Sequence, residues 1–235
     1  SNLSSLCRMT VLTSYVCKER PLLEHLFKNH VPVTIFKEPK GKTYQIVQEM
    51  KHCRIIIPPN RIGFGCFHPK IMLIKFPESL RVVVSSANLY DIDWQELGQV
   101  IWFQDFPVSE SSVEQTNDFY VTLQDFLNSL FDENNKEKLL ELSKHQYRGF
   151  ECPEEISEIG FSDMIRGELN LANYDFSNAS VTLLPSINAQ IPLKDKKKYG
   201  LYRLAAIMDQ ESLKDKLTPE SEVIYQCTSY GNFSK

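Results

Sequence analysis

Several absences narrow what this chain can do. No apolar run among its 235 residues approaches the ~18 that a membrane-crossing helix needs. A hydrophobic content of 42% suits one large buried core or two small ones instead. The first residues lack the basic stretch followed by an apolar one that marks a secretory leader, and Ser1-Asn2 read as a tag remnant. There is no Gly-rich phosphate loop and no Gly-x-Ser-x-Gly elbow, which removes two common routes to phosphate and ester chemistry. Six cysteines (Cys7, Cys17, Cys53, Cys66, Cys152 and Cys227) contain no Cys-x-x-Cys, so free thiols in a reducing compartment are expected. His52-Cys53 and Cys66-x-His68 do not make a zinc-finger spacing, and neither metal nor cofactor is expected. Repeats and low-complexity tracts are absent. A net charge of −4 argues against wrapping long duplex DNA nonspecifically, yet it leaves room for a small groove of local positive potential.

What is present reads as alternating strands and helices. Arg8–Val16, Val31–Phe36, Arg54–Ile57 and Gly98–Phe103 are strand candidates. Pro21–Lys28 and Thr43–Lys51 read as helices, the first with proline near its start. Pro107–Thr116 is polar and reads as a surface loop. Phe119, Leu123, Phe126, Leu127 and Leu130 follow at helical spacing on one face, a core-packing stripe. Asn134–His145 reads as a second amphipathic helix. After it come an acidic stretch, Glu151–Glu158, and a helix-like segment at Asp163–Leu171, read as structural filler. Such alternation predicts an α/β fold, a sheet between helical layers.

The chemistry concentrates in residues 68–88. His68-Pro69-Lys70 opens a β-rich run to Phe76, Pro77-Glu78-Ser79 is a turn, and Leu80–Ser86 is a second run ending in Ser85-Ser86-Ala87-Asn88. Folding about Glu78 sets His68 opposite Asn88, and strand alternation puts His68 and Lys70 on one face. A histidine, a lysine and an asparagine then gather at one end of an apolar hairpin. Those side chains suit metal-free attack on a phosphodiester, since a neutral imidazole is nucleophilic at neutral pH while lysine and amide donors meet phosphoryl charge.

The wider stretch Phe64–Leu73, then Leu80–Leu89, Asp93-Trp94 and Gln99–Trp102, resembles tyrosyl-DNA phosphodiesterase of the phospholipase D superfamily. That resemblance implies a phospholipase D-like mixed sheet flanked by helices. It implies one complete domain at residues 1–186 and the beginning of a second at 187–235. Val181–Ser186 looks like the strand closing the first half, and Tyr199–Leu204 like a helix opening the second. By the same resemblance His68 is the nucleophile, Lys70 and Asn88 hold nonbridging phosphate oxygens, and Gln99 supports the site. Phe64 stands at an aromatic position that stacks on a DNA base, flanked by Gly63 and Gly65, and Tyr15 stands near the substrate groove. Gln226–Gly231 resembles a small-residue loop in which Ser229 and Gly231 meet a DNA backbone, while Asn232 replaces the usual serine. The run Lys194–Lys198 reads as a solvated loop.

Members of that family carry the His-x-Lys and Asn set twice, and the second histidine protonates the leaving group and then activates water. Here His25, His30, His52 and His145 all lack lysine two residues on, so these 235 residues hold half an active site. The resemblance implies hydrolysis of a 3′-phosphodiester between a nucleic-acid end and an adduct such as tyrosine, and nuclear residence. The expected partner is a nucleic-acid 3′ end, single-stranded DNA for preference, with the second motif coming from further sequence or from a dimer partner. A noncatalytic end-binding module and a one-motif nuclease active as a homodimer are the alternatives. No membrane is expected as a partner, because no membrane-binding helix is evident.

Overall fold

The computed structural model describes residues 7–17, 33–38, 45–50, 53–58, 65–109, 116–130 and 169–222. Within them, β1 (Met9–Ser14), β2 (Val33–Lys37), β3 (Gln45–Met50), β4 (Cys53–Ile57), β5 (Ile71–Lys75), β6 (Ser79–Ser85) and β7 (Ile101–Pro107) form one sheet. Its order is β3-β4-β2-β1-β5-β6-β7. β1 runs parallel to β2 and antiparallel to β5, so strand direction changes at its centre. All six residues of β1 are buried, which accounts for its run of β-branched and apolar side chains.

Three α-helices are described: α1 (Asp91–Gln95), α2 (Asp118–Ser129) and α3 (Gly200–Gln210). Asn117 caps α2, its side-chain oxygen accepting from the N–H groups of Phe119 at 2.8 Å and Tyr120 at 3.3 Å. The predicted stripe of α2 is buried in full, from Phe119 to Leu130. It packs on the face of the sheet that carries Val11, Leu73, Val82 and Phe106. Phe106, Phe119 and Phe176 meet ring to ring at 4.6–5.7 Å, in tilted and stacked contacts.

Four sequence expectations are corrected. Thr43–Lys51 is not a helix: Gln45–Met50 is a strand paired antiparallel with β4, whose apolar run Ile55–Ile57 supplies the neighbour. Val181–Ser186 joins no strand; the carbonyl of Leu183 instead accepts from Arg203 Nε at 2.6 Å. Arg203, buried on α3, also reaches Asp118 and Thr122 of α2, so this segment is held by a side chain and not by a ladder. The lysine run is a 3-10 helix, Leu193–Lys198, in which Lys198 pairs with Asp125 at 2.9 Å and Lys196 lies over the Tyr202 ring. β7 begins at Ile101, so Gln99 precedes it.

Of the Asp163–Leu171 segment, only its end is described, leading into a 3-10 turn at Leu171–Asn173. The helices expected at Pro21–Lys28 and Asn134–His145, the acidic stretch Glu151–Glu158 and most of the loop after Pro107 lie outside the described residues. No described helix is long and apolar enough to cross a membrane.

Candidate active site

The hairpin β5–β6 turns on Pro77-Glu78, with Phe76 N–H donating to Ser79 O at 2.8 Å. Ile71 pairs with Val84 and Lys75 with Leu80, so the axis falls between Pro77 and Glu78. The expected His68–Asn88 alignment is therefore off by one residue. Carried back, this register sets position 68 level with 87, and the chain has already left the ladder at Ser86. Asn88 reaches the site by another route.

His68 and Lys70 precede β5, which begins at Ile71, and they meet through the Lys70 side chain. Lys70 Nζ lies 2.8 Å from His68 Nδ1 and donates to His68 O at 3.0 Å. An ammonium has three donors and no acceptor, so Nδ1 accepts and a neutral His68 carries its proton on Nε2. Among the described residues this leaves one Lys70 N–H without a protein partner. Burial pushes the His68 imidazole below its usual value, and the Lys70 charge pushes it further. Its own backbone hydrogen bond and Glu38 act the other way. Burial also lowers Lys70, which is 8% exposed, against the opposing influence of Asp93 and Cys66.

The end of β1 organises everything else. Thr13 Oγ1 donates to Pro69 O at 2.9 Å and accepts from Ile71 N–H at 2.8 Å, bracketing Lys70 from both sides. Ser14 Oγ accepts from Leu89 N–H at 2.9 Å. The Tyr15 ring lies against His68, centroids 4.7 Å apart. Val16 N–H donates to Asn88 Oδ1 at 3.2 Å. Four successive residues thus touch His68, Asn88, its neighbour Leu89 and the backbone on either side of Lys70. Gly65, with φ of +87°, turns the chain into this segment in a conformation that side-chain-bearing residues rarely adopt.

Asn88 sits in a loop held at four points. Its backbone N–H donates to Asp93 Oδ2 at 2.7 Å and its Nδ2 to the same oxygen at 2.9 Å. Trp94 Nε1 donates to Asn88 O at 2.7 Å, and Val16 completes the set. Gln99 lies one step away: Ser86 Oγ donates to Gln99 Oε1 at 2.5 Å and accepts from Val100 N–H at 2.9 Å. A cavity of about 540 Å³ opens beside His68 and Lys70, walled by apolar side chains such as Phe67, Leu123, Phe126 and Ile187. His68 and Lys70 line it together with other polar residues, among them Thr122, Ser129 and Asn188. Among the described residues, no three His, Cys, Asp or Glu side chains are grouped to hold a metal ion.

The structure thus brings His68, Lys70 and Tyr15 into direct contact and ties Asn88 to the same strand end, with Gln99 attached through Ser86. Phe64, Ser229 and Gly231 lie outside the described residues. Sequence reasoning assigned no role to Thr13, Ser14 or Asp93. The signal for the first two was two hydroxyls at the end of an otherwise apolar strand, MTVLTS. The signal for Asp93 was its place in the Asp93-Trp94 pair of the family-like stretch, which does not say what the side chain holds.

The chain is similar to several known proteins. The chain is 27% identical over 196 residues to "Tyrosyl-DNA phosphodiesterase 1" of Arabidopsis thaliana, covering 81% of this chain and 29% of that protein. It therefore spans under a third of that relative's length. Among solved structures, yeast tyrosyl-DNA phosphodiesterase matches 60% of this chain and 35% of its own, with 18% identity and a TM-score of 0.45. NucT from Helicobacter pylori matches 44% of this chain and 72% of its own, with 11% identity and a TM-score of 0.32. The family model described as tyrosyl-DNA phosphodiesterase matches residues 3–153 and 162–235, nearly the whole chain, so this chain belongs to the tyrosyl-DNA phosphodiesterase family.

Proposed function

We propose that the protein carrying this chain hydrolyses 3′-phosphodiester adducts of DNA, such as a 3′-phosphotyrosyl end left by a stalled topoisomerase I. In this reading the chain contributes the nucleophile half of the site. The observation that carries it is the contact of His68 with Lys70, which keeps one N–H spare, beside a strand end that also holds Asn88 with one Nδ2 hydrogen uncommitted. Both are N–H groups of the kind that stabilise charge on a transferring phosphoryl group without metal.

The steps follow from the donors. A phosphate oxygen draws the Lys70 ammonium away from Nδ1, the imidazole proton moves to Nδ1, and Nε2 gains its lone pair. Nε2 then attacks phosphorus, a P–N bond forms, and the bond to the phenolate oxygen breaks. A second histidine outside this chain protonates the phenolate, whose reference pKa near 10 makes it a good leaving group. The same group then deprotonates water, which attacks phosphorus and frees His68 and a 3′-phosphate. The downward influence of burial and of Lys70 on His68 favours the neutral, nucleophilic form. Gln99 supports the Asn88 loop through Ser86, and Tyr15 limits the motion of the His68 ring. Phe64 stacks on a base, Ser229 and Gly231 meet the DNA backbone, and the first domain ends at 186. Nuclear residence accompanies this activity.

Cleavage of a 3′-phosphotyrosyl oligonucleotide in EDTA, by this chain and by the longest natural form of the protein, tests the reading. Activity is expected in the longer form alone, and His68→Ala there should reduce it to background, on the order of a thousandfold or more. Turnover by His68→Ala at the wild-type rate rules the assignment out. The alternative reading is a module that binds 3′ ends without cleaving them. Tight 3′-phosphate binding with no turnover in either form supports that module. Metal-independent cleavage by a symmetric dimer of this chain supports a one-motif nuclease.

A further inference from the structure

We propose that Asp93 is a positioning residue, fixing the Asn88 carboxamide so that a single Nδ2 N–H points to the phosphate site. The inference rests on the phosphodiesterase reading above and concerns a side chain to which that reading gives no part. α1 is a five-residue helix with most of its side chains turned to solvent, yet Asp93 is buried at 9% exposure. Burying a carboxylate is unfavourable unless it is paired and hydrogen-bonded. Asp93 meets both conditions at one residue. Its Oδ2 accepts the backbone N–H and the side-chain Nδ2 of Asn88, at 2.7 and 2.9 Å. Its charge also faces Lys70.

The amide of an asparagine can sit in two orientations related by a flip. Here a carboxylate, which only accepts, lies at one end, and the Val16 N–H, which only donates, lies at the other. The flipped state would set oxygen against carboxylate and N–H against N–H. Asp93 and Val16 together therefore exclude it. One of the two Nδ2 hydrogens is committed to Asp93, and the other remains for substrate. Without the carboxylate the amide loses its charge-assisted anchor and populates orientations that present oxygen to a phosphate oxygen.

A double-mutant cycle in the full-length protein tests this, with cleavage of a 3′-phosphotyrosyl oligonucleotide as readout. Asp93→Asn should lower kcat by about tenfold with little change in KM, because the misplaced donor acts on transition-state charge. In an Asn88→Ala background the same substitution should cost no more than about twofold, since there is no amide left to orient. Wild-type kcat in Asp93→Asn, or an equal loss in both backgrounds, overturns the proposal. If Asp93→Asn does not fold, Asp93→Glu in the same cycle decides it by the same criterion. A wild-type protein that fails to cleave removes the phosphodiesterase reading, and the Asn88 side-chain amide then decides in its place. Its 15N–1H pair, with one proton bonded to a carboxylate, should shift in Asp93→Asn, and an unmoved pair overturns the positioning role.

Discussion

The two arms of the candidate site are built by different means. His68 and Lys70 lie just ahead of β5, held by the ladder that begins at Ile71, by the bond from Ser85 N–H to Lys70 O and by the Thr13 hydroxyl. Asn88 lies beyond the end of β6, where pairing is reduced to one isolated bridge between Leu89 and Cys17, and its position comes mainly from hydrogen bonds that involve a side chain, to Asp93, Trp94 and Val16. A ladder is redundant, because many backbone bonds share the task. A loop held by single hydrogen bonds has no such reserve, so its geometry is exposed to single substitutions.

Three experiments bear on that contrast, taken from the largest expected effect to the smallest. Lys70→Met removes the only cation found beside His68 among the described residues and should lower full-length turnover by about a hundredfold or more. The same change should raise the His68 titration midpoint, followed by its imidazole NMR signal. Lys70 and burial both hold the imidazole below its usual value, and only burial remains in the variant. A midpoint that stays put or falls would mean that the charge of Lys70 is not felt at the ring.

Ser14→Ala and Thr13→Val form a matched pair. Each leaves a buried backbone N–H, of Leu89 or Ile71, without its hydroxyl acceptor, at a cost of about 1–3 kcal/mol in chemical denaturation. Their effects on turnover should differ, with Ser14→Ala the more damaging, because the Asn88 loop has no ladder to hold it. Equal losses, or a larger one from Thr13→Val, break the contrast. Smallest of all is Arg81→Ala. Arg81 bonds Asp105 directly across β6 and β7, both contacts at 2.7 Å, but both side chains are partly exposed. A loss below about 1 kcal/mol with unchanged turnover is expected in the same denaturation and cleavage assays. A larger one would show that the edge strand β7 matters to the site.

How much of this was legible in the sequence follows the same division. Period-2 and period-3.6 patterns gave β1, β5, β6 and α2 to within a residue or two, since burial on one face is written in the order of side chains. His68 and Lys70 are adjacent as expected, but the ladder begins only at Ile71 and the Lys70 side chain makes the contact. The patterns failed where a partner decides the outcome. Ile46, Val47 and Met50 suit a helix face as well as a strand, and pairing with β4 settles which forms. Val181–Leu184 has strand-like composition but pairs with no strand among the described residues, and Arg203 takes the Leu183 carbonyl instead. The turn axis was misread by half a residue, enough to misplace Asn88 against His68. Asp93 was out of reach for a simpler reason. An acidic residue five positions after an asparagine, on a short polar helix, carries no periodic signal of what it holds.

The end of β1 also sets a limit on how this protein can vary. Along Thr13-Ser14-Tyr15-Val16 the odd positions serve the strand arm, through Pro69, Ile71 and the His68 ring. The even positions serve the loop arm, through Leu89 and Asn88. The run works as a ruler with no slack. Inserting one residue ahead of Thr13 without compensation would exchange the two sets of duties and present a hydroxyl where a ring belongs, and deleting one would set a ring where a hydroxyl belongs. Substitutions can accumulate in this stretch, but its length cannot drift.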